Sequence, residues 1–207
     1  MIIYFIRHGQ SEGNKKGFHQ GPDEPLSKEG VKQVEILAKR LNKHSIDVIY
    51  SSPMLRAEQT SKIISSELNV PVEIWANLSE IRNPSEIWGK SADDEKILEI
   101  KKLAKKEFLK GNSRYSDEET FGELDKRAGN AIEHLLLYHK DQNVLCVSHS
   151  TMIKMIVFKA MLSEKFSPEI FLQLREHTWI KNTGITVLEH TDKLGWVLVN
   201  WDDTTHL

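Results

Sequence analysis

Apolar and polar positions fall into blocks that switch between short continuous runs and helical spacing. The first block, Ile2, Ile3, Tyr4, Phe5, Ile6, is an unbroken apolar run that stops at Arg7. A run this short, with no polar face, reads as a strand buried on both sides. The stretch from Gly9 to Pro25 is rich in Gly, Asn and Gln and poor in apolar residues. It is expected to be a loop longer than compact domains usually carry, and such loops often hold functional groups.

Helical spacing begins after Ser27, where Val31, Val34, Leu37, Ala38 and Leu41 share one face and Glu29 sits in the first turn. Asp47 to Ser51 predicts a second strand. Ser52 and Pro53 are the expected cap and first-turn pair of a helix lined by Met54, Ala57, Ser61, Ile64 and Leu68. Val72 to Trp75 predicts a third strand, followed by an irregular stretch to Lys90 and a polar helix over about Asp93 to Lys110. The next helix is expected to open with a capping box of Ser116 and Glu119 and to bury Leu124, Ala128, Ala131, Ile132 and Leu135. Val144 to Val147 has the continuous apolar character of a central parallel strand and ends at Ser148 and His149. A helix with Ile153, Ile156, Val157 and Ala160 follows, then strands at about Gly184 to Glu189 and Trp196 to Asn200. This alternation predicts an α/β sandwich. No repeat or interdomain linker interrupts it, so residues 1–207 read as a single domain, with about 81–116 as an insertion.

Composition narrows the class without naming a chemistry. With 39% hydrophobic and 28% charged residues the chain reads as an ordinary globular protein. Its 28 basic and 30 acidic side chains leave a net charge of −2, which gives no field for nucleic acid or an anionic membrane. No stretch approaches the roughly 20 apolar residues of a membrane span. Cys146 is the only cysteine, which rules out an intrachain disulfide and a cysteine metal cluster. A soluble, cytoplasmic protein is expected.

The candidate chemistry lies where predicted strands end: Arg7 with His8, Ser51 to Arg56, and Ser148 with His149. In open α/β sheets that edge binds ligands. If the three strands are parallel neighbours, two histidines, two arginines and two helix N-termini converge there. Guanidinium forks match phosphate oxygens, and the first amides of a helix are free donors at the positive end of its dipole. The assembly suits a phosphoryl group.

These residues resemble the histidine phosphatase superfamily, which includes the cofactor-dependent phosphoglycerate mutases. Arg7, His8, Gly9, Gln10, Ser11, Glu12, Gly13, Asn14 is similar to the family signature. Gln20, Gly21, Asp23, Pro25, Leu26, Ser27, Gly30 and Gln33 look like the loop and helix that follow it. Ser51, Ser52, Pro53, Leu55, Arg56, Ala57, Gln59 and Thr60 resemble the second basic motif, and Val147, Ser148, His149 the segment of the second histidine. Asn182 to Thr186 and Asp203 to Leu207 resemble the family's end. The resemblance covers most of the chain except about 81–116.

It implies a phosphoglycerate mutase-like fold, a three-layer α/β/α sandwich with a mostly parallel mixed sheet. It also implies a phosphatase acting on small phosphate monoesters with no cofactor and no metal. His8 would be the nucleophile that forms a phosphohistidine. Arg7, Arg56 and His149 would surround the phosphoryl oxygens, with Asn14 as a neutral donor. Glu80 would be the proton donor, kept protonated by burial in an anionic site. Gln20 and Gly21 would lie near the substrate.

Two departures stand out. Ser150 replaces the glycine usual after the second histidine, adding a side chain that narrows the pocket or donates to it. The run Ile81 to Lys90 departs from the family's short segment, which makes Glu86 a competitor of Glu80 and offers Arg82 and Lys90 as readers of a second anionic group. Ser11 reads as a loop hydrogen-bonding group. His44, His134, His139, His177 and His190 show no ligand spacing, and Cys146 reads as a small core residue. The alternatives to a phosphatase are a phosphoglycerate mutase and a weakly active phospho-ligand-binding protein.

Overall fold

The computed structural model describes all 207 residues. Its core is one six-stranded sheet in the order β3-β2-β4-β1-β5-β6. The strands are β1 (Ile2–Arg7), β2 (Val48–Ser51), β3 (Val72–Ile74), β4 (Asn143–Ser148), β5 (Ile185–Thr191) and β6 (Gly195–Asp203). The first four are mutually parallel, whereas β5 runs antiparallel to β1, and β6 to β5. The helices are α1 (Glu12–Lys16), α2 (Lys28–Leu41), α3 (Leu55–Leu68), α4 (Glu95–Phe108), α5 (Phe121–Tyr138), α6 (Ser150–Leu162) and α7 (Pro168–His177).

Side-chain alternation along the central strands creates the layers. Ile3, Phe5, Val144 and Cys146 face one core, shared with α5, α6 and α7. Tyr4, Ile6, Leu145 and Val147 face the other, shared with α2 and α3. Burial on both faces explains why β1 and β4 read as unbroken apolar runs. The same register aligns Arg7 with Ser148 and Ser51 with Val147, so β1, β4 and β2 end together. Gly30 lets the chain after β1 pass close over α2, because a Cβ there would collide with the backbone of Gln10.

Several local readings are corrected. The loop from Gly9 to Pro25 contains the short helix α1, capped by Ser11 and Asn14 in a reciprocal box. The capping box of α5 is Thr120 with Glu123. Ser116 with Glu119 fits the same four-residue pattern, but only Thr120 directly precedes the buried residues Phe121 and Leu124. α3 begins at Leu55 with no side-chain cap, so Ser52 and Pro53 lie outside it. α7 was not anticipated at all. No helix is long and apolar enough to cross a membrane.

Candidate active site

His8 follows β1 directly and is buried, as is His149 at the start of α6, and their ring centroids lie 5.0 Å apart. His8 Nδ1 lies 2.7 Å from the Gly9 carbonyl, an acceptor, so that nitrogen carries the proton. Nε2 is then the bare nitrogen, and it accepts a 3.2 Å bond from Arg56 Nε. Burial and the charges of Arg56 and Arg7 hold the His8 imidazole well below its ordinary range. His149 is held down in the same way by burial, with Arg56 the largest charge. Both rings are therefore neutral near pH 7, the state a nucleophilic imidazole needs.

The arginines are positioned by backbone carbonyls. Arg7 donates to Ile180 O at 2.6 Å, and Arg56 to Gly21 O at 2.9 Å. Burial lowers both pKa values, that of Arg56 to about 10, so both remain charged. Arg7 Nε and His149 Nδ1 are buried without a protein partner. Buried polar groups are rarely left unpaired, so these two atoms are open to a bound group, and Arg7 Nε can only donate to it. Ser52, read from sequence as a helix cap, instead lies 2.8 Å from His149 Nε2, and its Oγ accepts from Met54 N.

Asn14 Oδ1 accepts from Ser11 N and from Asn182 Nδ2, which leaves its own Nδ2 as the unpaired donor. Asn182 also donates to His8 O at 2.9 Å, so the segment before β5 fixes the loop after β1. Gln20 accepts from Ser11 Oγ at 2.6 Å, matching the reading of Ser11 as a loop hydrogen-bonding group. Gly21 meets the site through its carbonyl. Ser150 is half-buried, opens α6, and its hydroxyl bonds no protein group.

Glu80 stands beside the first turn of α6. Its Oε1 accepts from Ile81 N and Met152 N, and its Oε2 from Thr151 N, at 3.0 to 3.2 Å. The side chain is half-buried and lines a cleft of about 410 Å³ with Gln20, Gly21, Arg56 and Arg82. Glu86 is exposed and outside this cleft, as is Lys90. Of the two carboxylates, geometry places only Glu80 beside the arginines.

Sequence reasoning missed the supports. Arg127 donates to Asn77 O and Ser79 O and pairs with Glu119 at 2.7 Å, gripping the segment that presents Glu80. Lys154 is buried in α6 and donates to Arg175 O and Thr178 O at the end of α7, with burial pushing its pKa down to about 8. A lysine within Met152 to Phe158, an otherwise apolar stretch, was the available signal.

The sequence profile of the histidine phosphatase superfamily, branch 1, matches residues 3–204. The chain belongs to that family. It is 33% identical over 158 residues to a Hydrogenobacter thermophilus protein provisionally named phosphoserine phosphatase 2, covering 75% of this chain and 76% of that one. A Yersinia pestis protein provisionally named a phosphoglycerate mutase is 26% identical over 212 residues, covering 99% and 94%. Among solved structures, an Entamoeba histolytica phosphoserine phosphatase mutant, with a histidine replaced by alanine and phosphoserine bound, superposes with a TM-score of 0.79. It is 25% identical and covers 100% of this chain and 98% of its own. The three-layer fold expected from the sequence is the fold of this family.

Proposed function

We propose that the protein hydrolyses small phosphate monoesters through a phosphohistidine on His8. The observation that carries this reading is the bare Nε2 of a buried, neutral His8 held between Arg7 and Arg56. Nε2 forms a bond to phosphorus as the bond to the leaving oxygen breaks, and that oxygen takes a proton from Glu80. Glu80 Oε2 has a single N–H partner and keeps a lone pair to carry that proton. Arg7, Arg56, His149 and Asn14 stabilise the charge on the phosphoryl oxygens, which peaks in the transition state. Water then attacks the phosphohistidine, returns a proton to Glu80 and releases inorganic phosphate. The relatives named as phosphoserine phosphatases support hydrolysis.

The test is phosphate release from an aryl phosphate together with trapping of an acid-labile, alkali-stable phosphoenzyme, with His8→Ala as the blank. Absence of both would reject the enzyme reading in favour of phospho-ligand binding. The relative named a mutase keeps that alternative open, and incubation with 3-phosphoglycerate separates them. Phosphate release without isomerisation is the expected result.

A further inference from the structure

Each nitrogen of the Arg56 guanidinium has a protein acceptor, and the three acceptors differ in strength. Nε donates to His8 Nε2 and Nη1 to the Gly21 carbonyl, whereas Nη2 donates to Met54 Sδ at 3.2 Å. A thioether sulfur is a weak acceptor. It orients the guanidinium yet yields to a phosphoryl oxygen, which is charged and accepts far more strongly. Met54 is half-buried in the turn between β2 and α3 and lines the 410 Å³ cleft with Gln20, Gly21, Glu80 and Trp88. A small solute that enters the cleft therefore meets a side chain bonded to a phosphate-binding arginine.

The same pairing occurs once more, out of reach. Met152 Sδ accepts from Arg127 Nη1 at 3.3 Å, but Met152 is fully buried, as are Met155 and Cys146. Burial also pushes the Cys146 thiol up, so it offers no reactive thiolate. Of the five methionines only Met1, Met54 and Met161 are open to solvent, and only Met54 lines this cleft.

Oxidation of Met54 would exchange the weak acceptor for a strong one. A sulfur lone pair attacks one oxygen of hydrogen peroxide, the O–O bond breaks, and the displaced hydroxide takes the proton of the transferred oxygen and leaves as water. Sulfur loses two electrons and the peroxide gains them. The sulfoxide oxygen stands one bond out from Sδ, is a polar acceptor, and is removed again by methionine sulfoxide reductases. Beside Arg56 it would hold Nη2 against an incoming phosphoryl group.

We infer that Met54 is a reversible oxidation site through which hydroperoxides switch off phosphoryl binding at Arg56. This rests on Arg56 as a phosphoryl ligand, assigned above. The competing reading is a methionine that only fills the cleft wall, whose oxidation leaves phosphate binding unchanged.

The experiment treats the protein with hydrogen peroxide until peptide mass spectrometry shows one added oxygen on Met54. Two quantities are then read: kcat/KM for p-nitrophenyl phosphate, and calorimetric affinity for inorganic phosphate, which needs no turnover. Both should fall by about tenfold or more, the scale of one charge-assisted hydrogen bond, and recover with a sulfoxide reductase and a thiol. With each variant compared to its own untreated form, Met54→Leu should lose the response and Met161→Leu should keep it. Met54→Gln, which sets an amide oxygen where the sulfoxide oxygen would stand, should weaken phosphate binding with no oxidant, and it decides the matter if Met54→Leu does not fold. Oxidised Met54 with unchanged phosphate affinity overturns the inference, as does a response that persists in Met54→Leu or a Met54 left unoxidised while Met161 is modified. Untreated protein that binds no phosphate removes the premise and the inference with it. Phosphate binding that weakens on oxidation in a protein with no turnover and no phosphoenzyme would defeat the phosphatase reading alone and leave the switch standing.

Discussion

Arg56 Nε donates to His8 Nε2, the one imidazole nitrogen that the Gly9 carbonyl leaves without a proton. The arginine thus marks the position of the lone pair and must give way to phosphorus when substrate enters. His8→Gln keeps a polar side chain but no nucleophilic nitrogen, and turnover should fall by about 10³-fold or more. Steady-state phosphate release measures this. A variant that retained a tenth of the activity would move the nucleophile elsewhere.

The two buried histidines make stability depend on acidity. Both are neutral in the fold and are held well below the ordinary histidine value, about 6.5 in the unfolded chain. As pH falls below about 6.5 the unfolded chain binds protons that the fold refuses, so stability is lost on acidification and these two groups contribute no slope above about pH 7. Thermal melts from pH 7.5 to 5 should show Tm falling, with a shallower fall when both residues are replaced by glutamine. Over the same range, kcat/KM should show no limb near 6.5 from His8.

Glu80 offers a test that depends on the leaving group. An alkoxide needs a proton to depart, whereas a nitrophenolate does not. Glu80→Gln should therefore cost about 10²-fold or more on an alkyl phosphate and far less on p-nitrophenyl phosphate. Equal losses on both would show that Glu80 only braces α6 through Thr151 and Met152.

Lys154 is expected to act at a distance. Its bonds to Arg175 O and Thr178 O hold the start of a segment that supplies Ile180 O to Arg7 and the Asn182 amide to His8 O and Asn14. Thr183 closes this segment with φ at 60°, strained for a β-branched residue, and donates its N–H to Arg7 O. Lys154→Met should release the strap, misplace Arg7 and lower kcat by about tenfold or more. Lys154→Arg should restore most of it. A fall in Tm with kcat untouched would reduce the lysine to a packing role.

Much of this protein is legible in its sequence. The unbroken runs Ile2 to Ile6 and Val144 to Val147 announced central strands because burial on both faces removes polar alternation. Arg7, His8 and His149 stand at the ends of strands and Arg56 in the first turn of the helix after β2, the pattern from which a phosphate site is expected. Local pattern was blind where two readings fit equally: Ser116 with Glu119 imitates the capping box that Thr120 with Glu123 forms, and Ser52 looked like a helix cap until His149 came within 2.8 Å. Which carboxylate stands beside the arginines was also beyond it. Glu80 and Glu86 lie six residues apart; Arg127 grips the backbone at Asn77 and Ser79 and the first amides of α6 hold the Glu80 carboxylate, whereas Glu86 stays in solvent. The sequence by itself determined the central strands and the clustering of Arg7, His8, Arg56 and His149 near their ends, since those follow from periodicity and residue type, while the nucleophilic role of His8 is what the family resemblance implies. The tertiary structure alone decided the unprotonated nitrogen of His8, its bond from Arg56 and the support from Lys154, because these depend on distances between atoms that sequence spacing does not fix.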